Sequence, residues 1–464
     1  MHRGRQGCAS AWTSWEELDA RGPCLLYGNV PFRAAQLPQQ PYVRQRTEAL
    51  ATSAYFSLQQ QRSDLRDKMM LAHALYGAIR LPWWGYAAFT FAMVELMLLG
   101  VTLYLHRDQS HGGLVLHPVL RHFFRFWLWF CSGTVTREWV AVHRRHHAFA
   151  DRPGDPHSPV VFGLKRVVLG GYELYVAAAR DPNILANYGR GTPDDWLERK
   201  LYSRFPKLGI VLFVVLQLVV FGVPAITMLA VQLVAQPFLA AGIINGLGHH
   251  LGYRSFELPT AATNIVPWGV LIGGEELHNN HHAFPSSARL AVQWWEIDMG
   301  WLFICVFRAL GLAKVGSLAP VPNIVRDRAD LDAVTVRALF THRLHVLRDY
   351  RRRVIRPVFR ELTKQENVTV PARSSVQLLV RHPKLLDERA RQQLRELLDR
   401  YEVLRTVTDF RDRLQQIWDE TSASHAHALE QWREVCAQAE RSRILALRKF
   451  ALRLRRYAPA AGSA

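Results

Sequence analysis

The sequence predicts an all-α integral-membrane protein: a few transmembrane helices beneath a cytoplasmic helical cap that carries a histidine-ligated metal site. Three observations lead there. Two apolar blocks, residues 82–105 and 208–247, stand between strongly basic stretches, the segregation expected of a membrane protein. Histidines crowd into three short clusters among the 20 in the chain. The net charge of +19 lies largely in loops and a tail beside the apolar blocks. That placement suits cytoplasmic loops and an anionic membrane surface better than a nucleic-acid stripe.

At 464 residues, 49% hydrophobic and 21% charged, the average composition hides this patterning. Cys8, Cys24, Cys131, Cys305 and Cys436 are far apart with no CxxC. A disulfide scaffold and a thiolate metal site are therefore excluded.

In chain order, residues 1–68 show no sustained period and read as a weakly ordered or loosely attached extension without a signal peptide. Met69 and Met70 offer alternative translational starts. A half-buried helix is expected at 71–80. Residues 82–105, from Pro82-Trp83-Trp84 to Tyr104-Leu105 with Glu95 the one acid, are long enough to cross a hydrocarbon core about 30 Å thick, with aromatic anchors at both ends. Residues 119–135 are apolar but carry Arg121, His122 and Arg125, which predicts an interfacial helix. Residues 208–247, as helix about 60 Å long, suffice for two crossings, with Gly222 and Pro224 supplying the turn.

Three regions follow: the extension 1–68, a membrane domain 69–315 and a basic helical region 316–464. Residues 314–464 hold 30 Lys+Arg against 18 Asp+Glu. Leu394, Leu397, Tyr401 and Leu404 recur at helical spacing, predicting a cytoplasmic helical hairpin in preference to a partner-binding module. Arg351-Arg352-Arg353 reads as a solvated or lipid-facing patch.

The chemistry lies in the histidines. The clusters are His106-Arg-Asp-Gln-Ser-His111, His143-Arg-Arg-His146-His147 and His278-Asn-Asn-His281-His282. Each HxxHH triple puts its members at i, i+3 and i+4, one face of a helix. His106 and His111, five apart, diverge on a continuous α-helix and converge only if the helix ends between them; Gly112-Gly113 suits such an end. Topology agrees: one crossing precedes the first two clusters and an even pair precedes the third, so all reach one face. Asn245 and His249, i and i+4 at the end of the last apolar helix, point the same way. His117, His122 and His157, taken singly, read as surface or interfacial residues.

So many imidazoles exceed the ligands of one zinc, which argues for two metals. Imidazole alone does not choose among Zn, Cu, Fe and Ni. No HExxH is present, removing the commonest zinc-protease reading. Neutral ligands beside an apolar region favour iron and oxygen activation against a carbon chain.

The boxes HRDQSH, HRRHH and HNNHH, with Asn245-x-x-x-His249 and Gly274-Glu275-Glu276-Leu277-His278-Asn279, resemble those of the integral-membrane fatty acid desaturases. The stearoyl-CoA (delta-9) type and its bacterial members are the nearest in appearance, over about residues 70–315. The resemblance implies a non-haem diiron enzyme that uses O2 and two electrons to place a cis double bond in a long acyl chain, esterified in lipid or carried by CoA. It implies metal ligation by His106, His111, His143, His146, His147, His249, His278, His281 and His282, and a water held by Asn245. It implies a site on the cytoplasmic side, in the inner membrane if the source is bacterial.

Two departures stand out. Animal enzymes of this type carry Glu-Trp-Ala-Arg-Asp before the second box; here Glu138-Trp139 remain but Ala141-Val142 replace the charged pair. With that arginine lost, Lys165 and Arg166 are the substitute contacts for an acyl-carrier headgroup, and the balance tilts toward phospholipid-linked chains. No fused cytochrome b5 segment is present, so electrons come from a separate ferredoxin, rubredoxin or cytochrome b5-like donor with its reductase. No nucleic-acid partner is expected. The rival readings are a diiron membrane hydroxylase of the alkane or carotenoid kind and a non-catalytic membrane metal-binding protein.

Overall fold

The computed structural model describes residues 41–326, 328, 330–365, 372–420 and 425–459. Most of the predicted extension before Pro41, with Cys8 and Cys24, lies outside these. Contacts divide the chain into two units, residues 1–70 and 71–464.

Helix α1 (Pro41–Tyr76) is continuous for 36 residues and mostly exposed. Of the two alternatives expected for residues 1–68, weakly ordered or loosely attached, the first does not hold from Pro41 onward, where the chain is helical. Good helix formers such as Ala, Leu, Gln, Glu and Arg fill it, but its apolar residues do not line one face, so periodicity gives no sign of it. The helix expected at 71–80 stops at Tyr76 and is largely exposed rather than half-buried. Gly77 follows with φ +67°, and an added Cβ there would strike the backbone around Val220–Gly222. Only glycine permits this close approach with a left-handed φ. Ala78 and Ile79 N–H groups donate to Val219 O and Val220 O.

Within residues 71–464, α2 (Trp83–Ser110) and α7 (Pro224–Leu247) are the two described helices long and apolar enough to cross a membrane. Helix α3 (Pro118–Ser132) is amphipathic, and its charges have polar partners. Arg121 clasps Asp108 through two bonds of 2.7 and 2.6 Å, and Arg125 donates to Asp195. Helices α4 (Thr136–Phe149) and α5 (Leu164–Ala179) follow. Helix α6 (Pro206–Phe221) has 16 residues, about 24 Å at 1.5 Å per residue, and ends at Gly222 with φ +61°. The turn expected at Gly222-Pro224 is present, but the first of the two expected crossings is short of a full bilayer core.

Helix α2 packs on α7, α3 on α6, and α5 along the end of α7. Helices α2 and α7 both lead at their C-terminal ends into the histidine-bearing segments, and α6 returns the chain between them. The third box forms the short helix α8 (His278–Ala283), and α9 (Met299–Ala309) follows it. The strands are three two-stranded pairings of two or three residues each among the described residues.

The C-terminal region is not a hairpin. Its described helices are α10 (Ala333–Thr341), α11 (Arg343–Tyr350), α12 (Arg356–Gln365), α13 (Ala372–Val380), α14 (Glu388–Arg400), α15 (Glu402–Asp419), α16 (His425–Arg441) and α17 (Leu445–Leu454). A wide turn, Arg351–Ile355, joins α11 to α12. These helices enclose a core of their own, including Leu339, Tyr350, Phe359, Leu404, Trp432 and Phe450. Tyr401 and Leu404 are buried there, with Leu394 and Leu397 packed on the edge. The helical periodicity is correct; the count of helices is not, because periodicity marks one buried face per helix and says nothing of how many faces share a core.

His345 joins this unit to the histidine-bearing part: its ring stacks on Phe284 at 5.4 Å and meets Phe256 edge-on at 5.2 Å. Burial, with Arg348 and His342 adding, pushes its pKa down to about 3. The unfolded chain, with a histidine pKa near 6.5, takes up this proton first on acidification. The group therefore subtracts stability as pH falls below about 6.5, and further until about 3. Thermal unfolding of His345→Gln and the parent chain should show a Tm difference that shifts in favour of the variant between pH 7 and pH 5. A pH-independent difference would contradict this.

Candidate metal centre

Helix α2 does not stop between His106 and His111. From Val101 to Ser110 it widens to i→i+5 hydrogen bonding, and the His111 N–H donates to His106 O at 3.2 Å. The wider turn swings residues five apart toward one side, and the His106 and His111 ring centroids lie 4.9 Å apart. Such π-type widening recurs at functional sites. The expected chain break is thereby corrected: the helix changes pitch. The end of α7 does the same over Pro237–Leu247, delivering His249 just beyond it.

Nine histidines converge in two groups. His106, His111, His143, His147 and His281 form one; His146, His249, His278 and His282 form the other. Within each group the imidazoles meet through Nε2. In the first, His106–His281 is 3.0 Å, His111–His143 2.8 Å and His147–His281 2.8 Å. In the second, His249–His278 is 3.0 Å, His278–His282 3.2 Å and His146–His282 3.3 Å. Nitrogens bound about 2.1 Å from one ion lie about 3.0–3.4 Å apart, so these separations match the edges of a coordination shell.

Carboxylates fix the tautomer of three of these rings. His106 Nδ1 faces Glu275 Oε1 at 2.7 Å, His146 Nδ1 faces Asp155 at 3.0 Å and His249 Nδ1 faces Asp151 Oδ2 at 2.8 Å. Each carboxylate accepts the Nδ1–H, which leaves Nε2 a bare lone pair aimed at other Nε2 atoms. A cation satisfies that arrangement. Burial first, then neighbouring histidines, also hold His111, His143, His147, His278, His281 and His282 well below the ordinary imidazole range. Neutral imidazole is the ligating form.

The three carboxylates are held in turn. Burial would raise Asp155, but His146 outweighs it and the carboxyl stays below its usual range. Asp151 and Glu275 are likewise lowered against burial by His249 and His106. Asp151 has φ +61°, the positive value among described non-glycine residues, a conformation that costs free energy and clusters at functional sites. It accepts from the Ala261 N–H at 2.7 Å and the Ser158 hydroxyl at 2.7 Å, and its own N–H donates to Asp155 at 2.9 Å. One loop, 151–158, thus orients a histidine of α4 and one at the end of α7.

Arg107, beside His106, is buried and pairs with Asp298 through 2.9 and 3.1 Å bonds. Asp298 also accepts from Leu290 N–H and Trp301 N–H. This ties α2 to the 273–298 loop that carries α8. Removing one member of such a buried pair costs about 3–5 kcal/mol.

The nine predicted histidines are all brought together. Trp139 also reaches the site, stacked on His143 at 4.9 Å. Glu138 is half-buried, its carboxyl raised by burial and then by Glu198. Lys165 and Arg166 are exposed at the start of α5, where Arg166 pairs with Glu173. Asn245 is half-buried in the widened end of α7, one turn before His249. His117 and His122 are exposed as expected. His157 is a correction: it is buried against His146 at 4.7 Å, because the 151–158 loop folds back over α4, and burial and then His146 push it down to about 3. Asp151 and Asp155 escape the sequence reading; their signal is a pair of acids just after the HxxHH helix.

Replacing Asp155 with Asn keeps the shape but frees the His146 tautomer. Metal affinity measured by competition with a chelator should fall about 10–100-fold with insertion and Tm nearly unchanged; unaltered affinity would remove Asp155 from the site.

Residues 81–302 match the family model for fatty acid desaturase, and residues 338–460 match a transposase family model. Among curated relatives, an acyl-CoA 5-desaturase of Anemone leveillei is 32% identical over 50% of this chain and 70% of its own length. Delta-9 desaturase-like 3 protein of Arabidopsis thaliana is 32% identical over 49% and 75%. Delta-9 acyl-lipid desaturase 2 of Arabidopsis thaliana is 29% identical over 50% and 74%. These relatives are plant proteins, where the resemblance had pointed to bacterial ones. With the histidine centre inside the matched segment, the chain belongs to the fatty acid desaturase family and is an oxidoreductase.

Proposed function

We propose that the chain is an O2-dependent diiron desaturase that removes two hydrogens from adjacent methylenes of a long acyl chain, at the delta-9 position, to give a cis double bond. The observation that supports it most is the division of nine converging imidazoles into groups of five and four. His106, His111, His143, His147 and His281 would hold one iron; His146, His249, His278 and His282 would hold the other, with Asn245 retaining a water beside it. When bound, the metals supply O2 activation against an unactivated C–H bond. Two electrons enter from a separate donor protein, and O2 with the two abstracted hydrogens and two protons leaves as water.

The residues of the chain supply orientation and dryness. Asp151, Asp155 and Glu275 fix three tautomers, and Trp139 covers His143. Helices α2 and α7 cross the membrane in the same sense and α6 returns the chain, with the centre on the cytoplasmic side. The acyl chain is most readily accepted already esterified in lipid. Ala141 and Val142 are buried in α4 where animal enzymes place an arginine and an acid, and Arg166 is engaged by Glu173. A CoA headgroup calls for fixed cationic donors, which this edge of the site lacks.

Expression in a cell without delta-9 unsaturation should yield cis-delta-9 acyl chains by mass spectrometry, with two irons per purified chain. His281→Ala should abolish the product while membrane insertion persists. Hydroxylated chains in place of alkenes would assign the hydroxylase chemistry instead, and one zinc without iron would sink the diiron reading.

A further inference from the structure

One residue beyond the metal-facing His249, His250 lines the edge of a cavity of about 720 Å³, within the size range of small-molecule sites. Loop residues 250–263 and 293–295 form one wall, and α11, α12 and α13 form the other. Seven arginines line it against one carboxylate, Glu257, among the described residues. Arg254 and Arg351 share that carboxylate at 3.2 Å each. Of Arg351-Arg352-Arg353, expected from sequence to form a solvated or lipid-facing patch, Arg352 and Arg353 are exposed and Arg351 is half-buried; Arg351 and Arg352 line this chamber.

The arginines crowd one another. Burial, then Arg352, holds the Arg348 guanidinium below its ordinary range. At Arg351, burial and the neighbours Arg356, Arg352 and Arg381 outweigh the opposing pull of Glu257. Arg348 and Arg351 each keep a buried Nε without a hydrogen-bond partner. Such a set is relieved by a ligand with several negative charges and oxygen acceptors; guanidinium forks match phosphate oxygens. The opposite wall offers aromatic surface. Tyr253 and Trp295 lie 5.4 Å apart, and Trp295 is 39% exposed.

We infer that this cavity binds a small organic anion bearing two or more phosphates on an aromatic base, the phosphates among the arginines of α11–α13 and the base against Trp295. Two sources share that chemistry: a free nucleoside di- or triphosphate, and the nucleotide end of CoA. The inference rests on the cavity alone and not on the proposed desaturation, so either can fail without the other.

The test is calorimetric titration of the purified full chain with ADP, CoA, pyrophosphate and a single-stranded oligonucleotide. Arg352→Gln/Arg360→Gln, at two exposed positions, and Trp295→Ala serve as variants, each checked for a parent-like Tm. ADP or CoA should bind and pyrophosphate more weakly. The double arginine variant should weaken ADP or CoA at least about tenfold, the worth of one charge-assisted contact. Trp295→Ala should bring ADP or CoA to the level of pyrophosphate. Binding of ADP with CoA excluded marks a free nucleotide as the ligand. Binding of CoA marks its nucleotide end as the ligand, and both support the site. No binding at millimolar concentration, or affinities unmoved by both variants, overturns it. So does an oligonucleotide that binds about tenfold tighter than ADP and is lost in the same variants. That last result would make the cavity part of a nucleic-acid surface, in keeping with the transposase similarity of residues 338–460.

Discussion

Everything in the histidine-bearing part answers to one constraint: nine imidazoles must be brought together in two groups of five and four, their Nε2 atoms facing one another, in a largely buried place. Protonation would relieve the contacts by driving the rings apart, and solvation would relieve them by letting water between. Burial blocks both, since charged imidazole is costly there. Three carboxylates hold the Nδ1 protons of His106, His146 and His249, so those rings cannot turn a proton inward. A site built this way is held in shape by the carboxylates behind it.

That second layer explains the backbone around it. Helix α2 widens so that His106 and His111 share a side. Helix α7 widens before His249, and Asp151 accepts an unfavourable φ so that one loop serves both α4 and α7. The Arg107–Asp298 pair fixes the vertical position of His106 against the loop that begins α8. These are departures from regular geometry at the places where regular geometry would point the donors elsewhere, which is where strain is worth its cost.

The reading of the sequence succeeded where chemistry is local. The convergence of the HxxHH histidines follows from helical periodicity and the Gly222–Pro224 turn from its turn residues, and the structure has both. It failed where geometry is set by tertiary contact. Nothing in HRDQSH announces an i→i+5 turn, since the same residues fit an α-helical end. His157 reads as a surface residue until the loop after α4 folds over it. Helix α1 shows no face because its side chains meet solvent. The C-terminal helices show faces but not how many share a core.

The C-terminal unit raises a different point. Its core is separate from the apolar core around α2, α3 and α6, and its similarity is to another family than that of residues 81–302. Yet it is joined to the histidine-bearing part by specific contacts: His345 on Phe284, two residues past His282, Arg348 over Phe256 at 5.3 Å, and Arg351 to Glu257. A bundle attached only by its linker would leave Phe256 and Phe284 to solvent and would have no reason to bury arginines toward Glu257. Part of the basic excess that composition assigns to a membrane surface lines, at α11–α13, the cavity facing the histidine-bearing loops, with Arg348 and Arg351 half-buried and Arg352, Arg356 and Arg360 exposed. There its electrostatic effect acts on a chamber beside the metal centre, and a field confined between low-dielectric walls is stronger than the same charges produce on an open surface.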